Sequence, residues 1–145
     1  MTLVDEKDLL VIAELQRNAK ATTGQITKRT GIPVTTVHNR MKSLEKTGVI
    51  KRYVPILDYV KLGKGLHALI FITVEGKGTD QEVLAKAMLK ITGVEKASIL
   101  TGGYDLLLDA HVADVDALNT LLIKELRQLP GVDKTQTMLV LKEEE

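Results

Sequence analysis

The stretch from Pro33 or Val34 to about Thr47 holds the side chains best suited to chemistry with a partner. Thr35, Thr36, His38, Asn39, Arg40, Lys42, Ser43 and Lys46 are interleaved there with Val37, Met41 and Leu44. The three apolar residues stand at i, i+4 and i+7, so a helix buries them as one stripe and turns the polar set outward. Asparagine can pair bidentately with adenine and arginine with guanine, while threonine and serine can bond bases or phosphates. Lys28, Arg29, Lys51 and Arg52 flank the segment and can neutralise phosphates, which adds affinity without sequence information. Each of these residues also has a plainer reading as part of a solvated helix face. Arg40 has a specific one, an ion pair with Glu45 or Glu14 that braces the domain.

Other chemistries are poorly supplied. The chain has 145 residues and no cysteine, which excludes disulfides, thiolate metal sites and cysteine nucleophiles. His38, His67 and His111 show no metal-ligand spacing, and G-x-S-x-G, a phosphate loop and H-E-x-x-H are all missing from the sequence. No metal and no cofactor are expected. Hydrophobic residues make up 44% and charged residues 27%, the balance of a folded protein. The longest apolar run, Ala68 to Val74 broken only by Thr73, is far short of the ~20 residues of a membrane span. The first residues are acidic with no basic leader, so a soluble cytoplasmic protein with no membrane partner is expected. The net charge of +1 hides an asymmetry: residues 1–66 hold 12 Lys+Arg against 6 Asp+Glu, and residues 67–145 hold 8 against 13. Such a split suits one half to a polyanion and the other to a different task.

Three helices are predicted in the first half. One runs from Asp5 to about Asn18, with Leu9, Leu10, Ile12, Ala13 and Leu15 as its apolar stripe and acids at its dipole-positive end. A short helix spans Thr23 to Thr30, capped by Thr22 or Thr23, with Ile26 inward and Gly31 as its stop. The third is the polar helix above, closed by Gly48. A glycine-containing turn between the second and third makes this a helix-turn-helix, whose third helix enters the major groove. Residues 49–57 read as extended chain. The expected organisation is a DNA-binding domain over residues 1–57, a linker over 58–66 and a second domain over 67–145.

The second domain changes period. His67 to Val74 reads as a strand buried on both faces. Thr79 to Ile91 reads as a helix with Val83, Leu84, Ala87, Met88 and Ile91 inward. Val94–Thr101 and Tyr104–Val112 read as strands joined by a two-residue Gly102-Gly103 loop. Asp114–Leu129 reads as a helix, Val132–Leu141 as the last strand, and Glu143-Glu144-Glu145 as a frayed tail. The order βαββαβ is the ferredoxin-like arrangement, giving an α+β chain overall. Leu69, Phe71, Leu106, Leu108, Met138 and Val140 alternate along the apolar strands, and some must meet something outside the chain. Pairing of two copies through the sheet is expected, the alternative being a sheet covered by the first domain of the same chain.

The segment GIPVTTVHNRMKSLEKTGVIKRYVPILDYVKLG resembles the recognition helix and linker of the feast/famine (Lrp/AsnC) transcriptional regulators. TGGYDLLLDAHVADVDALNTLLIKELRQLPGVDKTQTMLVL resembles their amino-acid-sensing domain, and VDEKDLLVIAELQRNAK their first helix. The resemblance implies a winged helix-turn-helix, a homodimer that often assembles into an octamer, and binding to pseudo-palindromic promoter DNA. It also implies a free amino acid or related metabolite as effector, held between dimers. By position, the effector residues would be Thr101, Gly102, Gly103, Tyr104 and Asp105, with Thr135, Gln136 and Thr137 opposite. Glycine N–H groups can receive a carboxylate and Asp105 an ammonium, although Gly102-Gly103 can equally be a simple tight turn anchored by Asp105. Two positions depart from the family. Pro33 stands where a serine-like cap is common, leaving the helix start to Thr35 or Ile32, and Arg52 stands where glycine is usual.

Two other functional readings stay open at this point: an architectural protein that packs DNA without regard to sequence, and a tetrapyrrole decarboxylase of similar two-domain layout.

Overall fold

The computed structural model describes residues 4–144. They divide into two compact units, one ending at Ile56 and the other beginning at Leu57.

In the first unit, α1 (Glu6–Arg17), α2 (Thr23–Thr30) and α3 (Val34–Lys46) enclose Val11, Leu15, Ala21, Ile26, Ile32, Val37 and Leu44. Asp5 starts α1 through a reciprocal cap: its carboxylate accepts the Asp8 N–H and the Asp8 carboxylate accepts the Asp5 N–H, each at 3.0 Å. Asp8 is 7% exposed, a costly place for a charge. Arg40 of α3 offsets that cost, hydrogen-bonding Asp5 and lying 3.4 Å from Asp8. The inward stripe of α1 is therefore Asp8, Val11 and Leu15 at i, i+3 and i+7. The expected stripe is corrected accordingly: Leu9 and Leu10 are 55% and 49% exposed, Ala13 is exposed as well, and only Leu15 is fully buried, with Ile12 at the core's edge. α2 opens with a second reciprocal cap, Thr22 with Gln25, and closes at Gly31, whose φ of 75° favours glycine. α3 has Pro33 before it and no side-chain cap. Neither Thr35 nor Ile32 supplies one, and Ile32 is buried in the core instead. From Lys51 to Leu57 the chain runs without strand pairing. Tyr53 donates its hydroxyl to Glu45 at 2.9 Å, and burial together with that carboxylate pushes its phenol up to about 12.

The second unit is a four-stranded antiparallel sheet in the order β2-β3-β1-β4, with β1 Leu66–Val74, β2 Val94–Ile99, β3 Leu106–Val112 and β4 Val132–Leu139. Helices α4 (Gln81–Met88) and α5 (Val115–Asn119) complete the ferredoxin-like βαββαβ order. Asp80 and Asp114 cap them with their carboxylates. Along β1, Ala68, Ile70 and Ile72 are fully buried, whereas Leu69 and Phe71 are half-buried. The strand thus has one sealed face and one open one, not two buried faces. Ile70 sits opposite Leu108 and Thr137, which fixes the sealed face on the neighbouring strands. Leu106 and Leu108 belong to that core with Leu84, Ala85, Met88, Leu118, Leu121 and Leu126. Val83 of α4 is 62% exposed and Ala85 takes the inward position expected of it.

Other boundaries shift as well. Residues 100–105 connect β2 to β3, because Ile99 pairs with Leu106. The loop is therefore wider than a two-residue turn. The helix after Asp114 changes its winding, passing from α5 into a π-helical turn at Thr120–Glu125 and a 3₁₀ turn at Leu126–Gln128. Leu66 is the first residue of β1, and residues 59–63 of the expected linker form a turn whose Tyr59 ring stacks on His111. Of the expected frayed tail, Glu143 approaches His67 Nδ1 to 3.7 Å, and Glu145 lies outside the described residues. No helix among the described residues is long and apolar enough to cross a membrane.

Asp5 ionises more readily in the fold than in the unfolded chain, because the Asp8 N–H and then the Arg40 guanidinium favour its charge. Its contribution to stability is complete above its ordinary value of 3.8 and is lost as pH falls through the lower folded value. Asp5→Asn keeps a capping oxygen but removes that charge. It should lower the melting temperature of the first unit at neutral pH, and the gap from wild type should close as the pH falls below 3.8. Thermal melts across that range, followed by circular dichroism, provide the check.

Candidate functional site

The outward surface of α3 follows from its buried stripe. With Val37 and Leu44 in the core, Thr35, His38, Asn39, Lys42, Ser43 and Lys46 are exposed, and Thr36 and Arg40 are half-buried. Among the described residues, the side chains of Thr35, His38, Asn39, Lys42 and Ser43 have no hydrogen-bond or ion-pair partner within the chain. Free donors and acceptors on an exposed helix are what base-edge reading requires. The start of α3, with no side-chain cap, adds backbone N–H groups of a kind that can meet a phosphate.

Arg40 does not fit that set. Its guanidinium is held by Asp5 and Asp8, and these carboxylates push its pKa further up. The bracing partner is thus neither Glu45 nor Glu14. Glu45 accepts from Tyr53, and Glu14 binds Arg29 at 2.7 Å and Arg17 at 3.1 Å. The expected phosphate-neutralising residues divide in the same way. Lys28, Lys51 and Arg52 are exposed with no ion pair among the described residues, whereas Arg29 is tied to Glu14.

In the second unit the β2–β3 connection presents Thr101, Gly102 and Gly103 to solvent, with Gly102 at a φ of 105°. Tyr104 packs against Phe71, ring centroids 5.1 Å apart, and its hydroxyl bonds the Gln136 amide oxygen. Asp105 is a knot in the sheet. Its N–H donates to the Ile72 carbonyl at 2.8 Å, and its carboxylate accepts the Val74 N–H at 2.8 Å and reaches the Gln81 amide at 3.5 Å. Gln136 faces Phe71 across the ladder on the open face. Thr135 and Thr137 oppose Ile72 and Ile70 and so share the face turned to the helices. The eight expected effector residues therefore do not converge within one chain. A cavity of about 400 Å³ lies elsewhere, lined by Gly93, Val112, Ala117, Thr120, Leu121 and Glu125 among others.

The fold also gathers residues that linear spacing keeps apart. His67 on β1 stands directly across from His111 on β3, with Asp109 two residues away on the same face. The His67 and His111 rings stack at 4.1 Å, and His67 Nε2 lies 2.5 Å from Asp109 Oδ1. Burial, and secondarily His67, push the His111 pKa below its ordinary value. The absence of ligand spacing along the sequence is thus no guide to these two histidines. The signal that could have found them is the strand register, since alternation puts His67, Asp109 and His111 on one face once β1 and β3 are paired.

Residues 4–51 match the family described as winged helix-turn-helix DNA-binding, and residues 67–145 match the Lrp/AsnC ligand binding domain. An HTH-type transcriptional regulator of Pyrococcus furiosus is 34% identical over 138 residues, which cover 94% of this chain and 92% of the relative. The leucine-responsive regulatory protein of Haemophilus influenzae is 34% identical over 141 residues, 97% of this chain and 85% of that protein. Among solved structures, a transcriptional regulator of Neisseria meningitidis in complex with L-methionine has a TM-score of 0.88 at 28% identity, covering 97% of this chain and 91% of that one. A free polar face on a helix-turn-helix, followed by a ferredoxin-like ligand-binding domain along nearly the whole of these relatives, places the chain in the Lrp/AsnC family of effector-responsive, DNA-binding transcriptional regulators.

Proposed function

We propose that the protein acts as a homodimer, built up further into an octamer, on pseudo-palindromic double-stranded DNA in the cytoplasm, without catalysing a reaction. The observation that carries the DNA reading is the contrast on one helix: Arg40 is held by two carboxylates while Thr35, His38, Asn39, Lys42 and Ser43 are free. Asn39 is assigned to base reading, Thr35, His38, Lys42 and Ser43 to bases or phosphates, and Lys28, Lys51 and Arg52 to phosphates. Thr36 and Arg29 are placed at the edge of the interface. Arg40 positions the helix from behind.

The dimer reading rests on the open face of the sheet. Leu69, Phe71 and Leu107 are half-buried there and Met138 is 47% exposed, an apolar set that a second copy of the same face would cover. Leu108, fully buried, belongs to the chain's own core. A dimer would carry two reading helices and prefer half-sites about 10–10.5 base pairs apart.

The effector reading is an amino acid or related metabolite, bound where the β2–β3 connections of neighbouring copies meet. The L-methionine complex of the Neisseria regulator supports that ligand class. Within one chain the connection offers the exposed backbone of Thr101, Gly102 and Gly103, beside Tyr104 and Gln136, with Thr135 and Thr137 behind it. Asp105 holds the loop in place. A ligand there regulates by binding one assembly better than another.

Three measurements test these assignments. Asn39→Ala should relax preference at one base position, at a cost of ~1–3 kcal/mol, and Lys28→Ala should weaken all sequences alike and reduce the salt slope by about one. Binding curves on promoter and random duplexes at several salt concentrations separate the two effects. Equal competition by random DNA would favour the packing alternative. Phe71→Asp should shift light scattering at micromolar concentration from the assembled mass toward the monomer. In a thermal-shift screen of the twenty amino acids, at least one should raise the melting temperature. Gly103→Val should abolish that response with DNA binding intact, whereas Asp105→Ala should lower both the response and the basal melting temperature.

A further inference from the structure

We propose that His67, Asp109 and His111 form a binding site for a divalent transition-metal cation of the zinc type. One ring nitrogen from each histidine and one carboxylate oxygen of Asp109 all lie within 4.8 Å of one another. Two imidazoles and a carboxylate are a donor set suited to zinc and its neighbours, and unsuited to calcium or magnesium, which prefer oxygen alone.

Strand geometry provides the site. His67 and His111 are direct partners in the β1–β3 ladder, and Asp109 is the partner of Leu69 two positions along. All three side chains project from the open face. Tyr59 stacks on His111 at 3.6 Å and 7°, so its ring joins His67 in covering that imidazole. The side chain of His67 is only 13% exposed. The histidine pair is therefore shielded by the Tyr59 ring, unlike an exposed cluster of acids.

One atom in the group is unexplained by the protein alone. His111 Nδ1 is buried and has no hydrogen-bond partner among the described residues. Buried polar atoms are nearly always paired, and an orphan calls for a reason. A cation provides one by drawing on the imidazole lone pairs. Binding needs only local movement. Metal-ligand distances of ~2.0–2.2 Å put tetrahedral donors roughly 3.4 Å apart, so His67 Nε2 and Asp109 must open from their 2.5 Å contact and the nearly parallel histidine rings must tilt toward each other. Glu143, 3.7 Å from His67 Nδ1 and 64% exposed, can supply a further oxygen or orient His67. Metal bound here would clip β1 to β3 and raise the stability of the second unit.

The test uses the full chain without a histidine tag. Cobalt(II) titration should give visible absorption bands saturating at one cation per chain, discharged by zinc. Zinc should also raise the melting temperature. His67→Gln and Asp109→Asn should each weaken cobalt binding at least about tenfold, as loss of a ligand or its support does. His38→Gln, on the other unit, should leave it unchanged. Should His67→Gln fail to fold by circular dichroism, Asp109→Asn at a partly exposed position decides. The proposal is overturned if saturation requires millimolar cobalt, if affinity survives both substitutions, or if it is lost in His38→Gln.

Discussion

Strict alternation along the central strand is the constraint from which most of the second unit follows. β1 has a neighbour on each side, so most of its main chain is paired in the ladder and its side chains decide what lies above and below. Ala68, Ile70 and Ile72 leave water completely. Each large aliphatic side chain buried in this way contributes roughly 1.5–3 kcal/mol. A one-residue slip would exchange these for His67, Leu69 and Phe71, so the register has no competitor. With the register set, β3 and β4 have no freedom either: Leu106, Leu108 and Ala110 go to the core, and Leu107, Asp109 and His111 go to the open face. The polar group at one end of that face and the Phe71–Tyr104–Gln136 contacts at the other are consequences of the same alternation.

The first unit is organised by charge as well as by burial. Its apolar core is small, and Asp8 intrudes on it. The acid is kept because it closes the cap of α1 and because Arg40 answers it from α3. Removing either partner would leave a partly buried charge uncompensated. The arrangement has a functional consequence. An arginine held by two carboxylates is less available to fork onto a guanine, so under the proposed DNA reading the free polar face of α3 narrows to Asn39 and its uncommitted neighbours. The same economy separates Arg29, engaged by Glu14, from Lys28.

The β2–β3 connection shows how one residue type can mislead. Asp105 has the charge an ammonium would seek, but the end of β1 uses it first: the Val74 N–H has no ladder partner there and takes the carboxylate instead. The wide loop at residues 100–105 is held by that bond and by Tyr104 against Phe71. Only its tip is uncommitted, and the tip is backbone. A ligand site at this place would consequently be built between chains.

Much was legible in the amino-acid sequence alone: the order of helices and strands, the two-part division, the cap at Thr22 or Thr23, and the polar face of α3. These depend on local spacing, since 3.6- and 2-residue periods and glycine stops are properties of neighbours along the chain. What depended on distant partners was hidden. Leu9 and Leu10 look as apolar as Val11, yet Arg40 and Asp8 choose which side of α1 turns inward. Val83 and Ala85 exchange places for the same kind of reason, because the helix rotation is set by the sheet it packs on. The role of Asp105 appears only beside Val74, and that of Arg40 only beside Asp5. His67 and His111 are 44 positions apart in the chain and adjacent in space. Periodicity specifies which faces a segment has, but the register of β1 on β3 specifies which side chains meet, and register is a property of the folded sheet.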